Sequence, residues 1–213
     1  MTLPAARPSD SAPSTAASVA VLAGGQSLRM GQDKSFVTLA GRPLVEHTLE
    51  RVARLGLPVH IITNLPERYA QYGLPMFADV IPAKGSLGGL YTALTYSSTA
   101  WTLCVACDMP FLNEALLEDL LARRDICDAV VPVVAARPQS LHAIYHQRCL
   151  GSIHDALVRD DLKIQRLFRR ISVHFVAEAH LRAFDPDLRS FVNVNTPDEL
   201  ARARAITSTA DPD

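Results

Sequence analysis

The sequence predicts an α/β protein whose mostly parallel central sheet carries helices on both faces. Short, continuous apolar segments rich in β-branched residues alternate with amphipathic helical stretches along most of the chain. Continuous apolar strands are typical of sheets buried on both faces, and strand–helix alternation favours parallel pairing. Because ligands bind at the carboxyl ends of strands in such sheets, the loops that follow the strands are the candidate functional segments.

The predicted elements follow from local signals taken in chain order. Apolar and β-branched runs predict strands at Ser18–Leu22, Val59–Thr63, Trp101–Ala106, Ala129–Val134, Ser140–Tyr145 and Val173–Val176. Helical spacing, proline starts and glycine stops predict helices from Pro43 to Gly56, at Pro66–Tyr72, at Leu90–Tyr96, from the Asn113 cap to about Arg124, from about Gln147, and from Pro197. The last of these opens with Thr196-Pro197-Asp198-Glu199, a capping box.

Composition indicates one ordinary globular domain. Hydrophobic residues make up 48%, charged residues 20%, and the formal net charge is −1. This charge argues against a nucleic-acid coat, and no apolar run approaches the ~20 residues of a membrane helix. We expect a domain at 18–206 between disordered tails at 1–17 and 207–213. The four cysteines are expected to be free and buried, which favours the cytoplasm.

A polar, glycine-rich loop follows the first strand. It reads LAGGQSLRMGQDK from Leu22 to Lys34 and contains three glycines, which let the backbone turn its amides toward an anion. Arg29 and Lys34 add positive charge, so the loop suits a triphosphate, although it has neither the Walker nor the G-x-G-x-x-G spacing. Only three of the 21 basic residues are lysines, and two of them, Lys34 and Lys84, lie in glycine-rich segments.

Asp108 comes just after the apolar strand Trp101–Ala106. A carboxylate at a strand end suits Mg²⁺, which takes one or two protein carboxylates and completes its shell with phosphate oxygens and water. The alternative is an aspartate that only starts the turn before Pro110. The metal interpretation is favoured because the loop ending at Lys34 is expected to face Asp108.

Three segments together resemble the molybdenum cofactor guanylyltransferase family, which has a three-layer, Rossmann-like nucleotidyltransferase fold. They are the LAGGQSLRMGQDK loop, the ACDMP strand end and the NVNTPDEL segment, and the resemblance runs from about Val19 to Ile206. Gly24-Gly25 and Asp33-Lys34 favour the guanylyl branch over its cytidylyl relatives.

The resemblance implies an enzyme that uses Mg²⁺ to transfer GMP from GTP to the phosphate of molybdopterin and releases pyrophosphate. The implied catalytic residues are Arg29, Lys34 and Asp108, and Asp108 is also the metal ligand. The implied GTP-binding residues are Leu22, Ala23, Gly24, Gly25, Lys34, Asn64, Asp79 and Asp108. The implied molybdopterin-binding residues are Gly88, Gly89, Asn193 and Asn195.

The segment Lys84–Gly89 departs from the family pattern, because Ser86 and Gly88 stand where relatives commonly have proline and alanine. We therefore expect it to be a mobile loop that leads into the helix at Leu90.

Two alternative functions stay open: a cytidylyltransferase or other nucleotidyltransferase of the same fold, and a nucleotide-binding module without turnover. Intact Lys34 and Asp108 favour an enzyme. We expect a monomer that has neither nucleic acid nor a membrane as a partner. Transient contact with cofactor-biosynthesis proteins or molybdoenzyme targets is implied by the resemblance alone.

Overall fold

An eight-stranded sheet organises the described residues, 17–24, 34–124 and 127–210, of the computed structural model. Its strands are β1 (Ala17–Leu22), β4 (Val59–Ile62), β5 (Met76–Phe77), β6 (Trp101–Ala106), β7 (Ala129–Val134), β8 (Arg137–Pro138), β9 (His142–His146) and β10 (Val173–Val176). A separate antiparallel pair consists of β2 (Thr38–Leu39) and β3 (Arg42–Pro43).

Helices cover both faces of this sheet, which confirms the predicted α/β class. They are α1 (Leu44–Ala53), α2 (Pro66–Tyr69), α3 (Gly85–Tyr96), α4 (Glu114–Ala122), α5 (Leu150–Val158), α6 (Ile164–Leu167), α7 (Glu178–Leu181) and α8 (Pro197–Ala210). One apolar cluster packs α1 and α4 against one sheet face, and a second packs α3 and α5 against the other. None of the helices described is long and apolar enough to cross a bilayer.

The strand order is β10-β7-β9-β6-β1-β4-β5, with β8 paired to β7. β1 pairs in parallel with β4 and β6, β4 with β5, and β7 with β10. β9 is the exception, because it runs antiparallel to both β6 and β7. The residues that precede β9 therefore lie at the same edge of the sheet as the carboxyl end of β6.

Side-chain caps fix two helix starts where the sequence predicts them. The Leu116 amide donates to Asn113 Oδ1 at 2.9 Å at the start of α4. At α8 the Glu199 amide donates to Thr196 Oγ1 at 3.2 Å, while Glu199 Oε2 accepts from the Asn195 amide at 2.7 Å. The Thr196 cap therefore also ties the preceding segment to α8.

The predicted end of the domain at residue 206 is too early. α8 continues to Ala210, because its backbone keeps helical hydrogen bonding and the Thr207 hydroxyl donates to the Ala203 carbonyl at 3.1 Å. β1 likewise begins at Ala17, one residue before the predicted domain. Residues 1–16 and 211–213 of the predicted tails lie outside the described residues.

The predicted loop at Lys84–Gly89 is wrong, since α3 begins at Gly85 rather than at Leu90. The Gly88 amide already donates to the Lys84 carbonyl at 3.2 Å, so the glycine-rich segment forms the first turns of the helix. The strand predicted at Ser140–Tyr145 also starts later, because Ser140 and Leu141 lie in a turn before β9. All four cysteines are free and buried, as predicted.

Two buried threonines, Thr102 in β6 and Thr99 just before it, allow a test of how much an unpaired buried hydroxyl lowers the free energy of unfolding. The Thr102 hydroxyl has no hydrogen-bond partner among the described residues. The Thr99 hydroxyl lies 2.8 Å from the Trp101 carbonyl and 3.0 Å from Ser18 Oγ. We expect Thr102→Val to leave the free energy of unfolding unchanged or raise it by up to about 1 kcal/mol, and Thr99→Val to lower it by about 1–3 kcal/mol. Urea titration measures both, and an equal loss in both variants contradicts this expectation.

Candidate active site

Asp108 lies in a turn that follows β6, and hydrogen bonds hold this turn from several sides. We call residues 107–109 the Asp108 turn. The Cys107 amide donates to the Leu22 carbonyl at the end of β1 at 3.1 Å. The Thr48 hydroxyl in α1 lies 3.2 Å from the carbonyl oxygens of both Cys107 and Met109. Asp108 is only 3% exposed, so its carboxylate is fixed at the sheet edge rather than free in solvent.

The far end of the first glycine-rich loop meets this turn. Lys34–Phe36 is a 3₁₀ helix, and Ser35 Oγ lies 3.1 Å from Cys107 Sγ, a hydrogen bond between two buried side chains. This contact brings the backbone next to Lys34 beside the backbone next to Asp108. The end of the loop thus contacts the Asp108 turn, whereas Gly25, Arg29 and the Lys34 side chain lie outside the described residues, so the pairing of Lys34 with Asp108 stays a prediction.

The NVN segment, residues 193–195, joins the Asp108 turn from the C-terminal side. The Val194 amide donates to the Asp108 carbonyl at 3.1 Å, and Val194 itself is buried. Because side chains alternate along an extended segment, the buried Val194 leaves Asn193 and Asn195 on the other side, where both line a cleft with Asp108.

Asn64 and Asp79 lie at the opposite side of Asp108, after β4 and β5. Asn64 Nδ2 donates to Asp79 Oδ2 at 2.9 Å, and the Asp79 amide donates back to Asn64 Oδ1 at 2.9 Å. Two residues fifteen positions apart therefore form one polar unit, next to the strand end that carries Leu22, Ala23 and Gly24. Leu22 and Ala23 are buried, and Gly24 is exposed.

A cleft of about 480 Å³ opens between the Asp108 turn, the N-terminus of α3, the turn before β9, and α6. Its polar lining residues include Lys84, Ser86, Gln139, Lys163, Gln165, Asn193 and Asn195. Of the predicted GTP-binding residues that the structure describes, Asp108 lines this cleft, while Leu22, Ala23, Gly24, Asn64 and Asp79 do not. Asp108 therefore stands at the boundary between two regions of the site.

Gly88 and Gly89 do not line this cleft, although the resemblance implies that they bind substrate. Both are buried in α3. A Cβ atom at Gly88 would lie 2.8 Å from Lys84 Cβ and 3.3 Å from the Ile81 carbonyl oxygen, and one at Gly89 would lie 3.0 Å from Leu22 Cδ2. Their small size lets α3 pack closely against its surroundings.

Lys84 and Lys163 are cleft residues to which the sequence patterns gave no role. The scarcity of lysine is the signal that could have found them, since two of only three lysines in the chain line this cleft. Lys84 Nζ lies 2.7 Å from Asp160 Oδ1, an ion pair between the start of α3 and the turn after α5.

The metal-binding capacity of the site is small. No group of three or more histidine, cysteine, aspartate or glutamate side chains capable of holding a metal occurs in the described part of the chain. One buried carboxylate flanked by two asparagines is a weak site for a resident metal. It fits a Mg²⁺ ion that arrives with phosphates, since that ion draws most of its ligands from substrate and water.

His142 is a fully buried titratable group next to the site. It is the first residue of β9, and its ring stacks on that of Phe191 with the ring centroids 4.5 Å apart. Neither ring nitrogen has a hydrogen-bond partner among the described residues. Burial lowers the pKa of His142 to about 4, and the charge of Asp185 opposes this shift only in part. At neutral pH the imidazole is therefore an uncharged part of the core.

Comparison with known proteins places this geometry in a family. A family model described as MobA-like NTP transferase domain matches residues 19–178. A molybdenum cofactor guanylyltransferase from Vibrio vulnificus is 34% identical over 88% of this chain and 95% of its own length. Another, from Desulfosudis oleivorans, is 33% identical over 87% of this chain and 93% of its own.

A solved structure is similar over nearly the same range. It is the molybdopterin-guanine dinucleotide biosynthesis protein A from Archaeoglobus fulgidus, which is 31% identical, covers 90% of this chain and 99% of its own, and superposes with a TM-score of 0.81.

The packing of Gly88 predicts that substitution of glycine by alanine changes the free energy of unfolding in opposite directions at two helical positions. Alanine normally stabilises a helix over glycine by up to about 1 kcal/mol. We expect that gain for Gly151→Ala in α5, where an added Cβ meets nothing within 4 Å, but a loss of about 1–3 kcal/mol for Gly88→Ala. Urea titration measures both free energies, and stabilisation of both variants contradicts the packing explanation.

The depressed pKa of His142 predicts an acid-sensitive fold. Between the ordinary pKa of histidine, 6.5, and the lowered pKa of about 4, the unfolded chain binds more protons at this residue than the folded chain does. The contribution of neutral His142 to the free energy of unfolding is therefore present above pH 6.5 and is lost as the pH falls toward 4. We expect His142 to account for roughly 2 kcal/mol of the stability lost between pH 7 and pH 5.

Urea titrations of His142→Leu at both pH values test this expectation, with the exposed His154→Leu as the control. The first variant should lose less stability on acidification than the wild type. An unchanged pH dependence in His142→Leu contradicts the assignment.

Proposed function

Because this chain belongs to the MobA-like NTP transferase domain family, we propose that it is a molybdenum cofactor guanylyltransferase. It transfers the GMP moiety of GTP to the phosphate of molybdopterin and releases pyrophosphate. Relatives and structural neighbours covering almost the whole chain make it a nucleotidyltransferase. The four free, buried thiols are in keeping with action in the cytoplasm.

The observation that carries the proposal is the position of Asp108 between two polar regions. On one side are the β1 end and the Asn64–Asp79 pair, and on the other is the cleft with Asn193 and Asn195. A transfer between two substrates needs both reacting groups at one point, and the Asp108 turn is bonded to the β1 end through Cys107 and lines the cleft through Asp108. We assign the nucleotide to the first region and the acceptor to the second.

The chemistry needs positioning and charge neutralisation more than covalent help. An oxygen of the acceptor phosphate attacks the α-phosphorus of GTP, a new P–O bond forms in line, and the bond to pyrophosphate breaks. The acceptor phosphate is already an anion near neutral pH, so no strong general base is required. Lys34, Arg29 and the loop amides are proposed to neutralise the charge that develops on the leaving pyrophosphate.

We propose that Asp108 holds Mg²⁺ together with the triphosphate. The ion, when bound, neutralises charge on the phosphate oxygens. Rigidity is the contribution of the chain itself. The hydrogen bonds from Val194 to the Asp108 carbonyl and from Cys107 to Leu22 fix the backbone of the turn. The Asp108 carboxylate can therefore bind the ion with little rearrangement of the turn.

One assay separates this proposal from its alternatives. The purified protein is mixed with Mg²⁺, molybdopterin and GTP, CTP or ATP, and pyrophosphate release and dinucleotide formation are measured. GTP-dependent release is the expected result. Release with CTP alone would indicate a cytidylyltransferase, and nucleotide binding without release would indicate a non-catalytic module.

In the same assay, Asp108→Asn is expected to lower kcat by about a hundredfold or more, because it removes the proposed metal charge contact while keeping the side-chain shape. The control is Asp187→Asn, which changes an exposed aspartate paired with Arg189. Circular dichroism checks that both variants fold. Near-normal turnover of Asp108→Asn would contradict the role of this carboxylate.

A further inference from the structure

We propose that Lys84 binds the phosphate of the acceptor and that Asp160 is the counter-ion that competes with that phosphate for the Lys84 ammonium. This inference rests on the proposed function and assigns the acceptor end of the same site. The resemblance assigns Gly88 and Gly89 of this segment to substrate binding, but both are buried in α3, whereas Lys84 lines the cleft.

The location of Lys84 carries the first step. Lys84 lines the cleft on the acceptor side of Asp108, together with the first turn of α3, and Leu22, Asn64 and Asp79 of the nucleotide side are absent from that lining. The Lys84 side chain therefore forms part of the wall at the start of α3, and we assign its ammonium, which pairs with Asp160 outside the lining, to a phosphomonoester in this cleft. Lysine suits this contact because its compact charge reaches single phosphate oxygens.

The base of the Lys84 side chain packs against α3. Lys84 precedes α3, and its Cβ occupies the space that a side chain at Gly88 would need, at 2.8 Å from an added Cβ. Its side chain is only 26% exposed, whereas that of its partner Asp160 is 73% exposed. The lysine is thus half-buried against the helix, and the aspartate reaches it from solvent.

The ion pair between them is easily exchanged. Ion pairs that involve exposed side chains contribute little to stability. A phosphate dianion carries twice the charge of the Asp160 carboxylate and therefore attracts the Lys84 ammonium more strongly. Asp160 therefore holds the ammonium in place while the cleft is empty and yields it when the acceptor enters.

The two members of the pair should consequently have opposite effects on acceptor binding. Lys84→Met is expected to raise KM for molybdopterin roughly ten- to a hundredfold. Asp160→Asn is expected to lower it about two- to fivefold, because the ammonium loses its competitor. Asp160 has a φ of +57°, a conformation that asparagine also tolerates, so this variant should keep the turn intact.

The experiment measures dinucleotide formation by chromatography at saturating GTP while molybdopterin is varied, for both variants and for Lys84→Met/Asp160→Asn. The double variant should show the KM of Lys84→Met, because the effect of Asp160 acts through Lys84. Arg54→Met, which breaks the surface pair with Glu50, is the control and should leave KM unchanged. The Kd of GTP without acceptor should change less than about twofold in all variants.

Inorganic phosphate is the second probe. It should inhibit the wild type in competition with molybdopterin, and Lys84→Met should weaken that inhibition. An unchanged KM in Lys84→Met, a KM shift of the same sign in Asp160→Asn, or a fall in KM in the double variant below that of Lys84→Met would overturn the assignment. These outcomes require a wild type that is active with GTP, whereas an inactive wild type would contradict the proposed function instead.

Discussion

The buried turn around Asp108 is the constraint on which the rest of the site depends. Asp108 is 3% exposed as a residue, and neighbouring elements hold it in place through the backbone of the turn. β1 accepts the Cys107 amide, α1 brings the Thr48 hydroxyl to two carbonyls, and the NVN segment donates the Val194 amide. Leu22, Thr48 and Val194 are far apart in sequence and lie close together because each of them makes a hydrogen bond to the Asp108 turn.

The reversed direction of β9 creates the second half of the site. In a sheet with parallel strands only, the neighbour of β6 would present its carboxyl end and a following helix at this edge. Here β9 runs antiparallel, so the turn containing Gln139, Ser140 and Leu141 faces the Asp108 turn and becomes a wall of the cleft. The residues that we propose for the nucleotide follow β1, β4 and β5, whereas the turn before β9 forms a wall of the proposed acceptor cleft.

Local signals in the sequence predicted the elements whose stability is local or whose pattern is strong. β6, β7 and β10 have the predicted bounds, and the Asn113 and Thr196 caps lie where the side-chain chemistry places them. The start of α3 was not predictable in this way, because glycine disfavours helices. Glycine occupies positions 88 and 89 because a Cβ there would lie too close to Lys84, Ile81 and Leu22. Such packing contacts cannot be predicted from local sequence patterns. The direction of β9 could not be predicted either, because an apolar run does not show whether the strand pairs in parallel or antiparallel.

The charge balance of the chain explains why individual cations matter. With a formal net charge of −1, the protein as a whole offers little attraction to anionic substrates, so binding must come from cations placed at the site. Most basic residues are arginines, and several of these form ion pairs at the surface, such as Arg42 with Glu50 and Arg182 with Glu178. Lys84 has a different setting, half-buried against α3 at the wall of the cleft. A cation whose base packs against α3 and whose partner among the described residues is an exposed carboxylate suits the exchange of partners that we propose for acceptor binding.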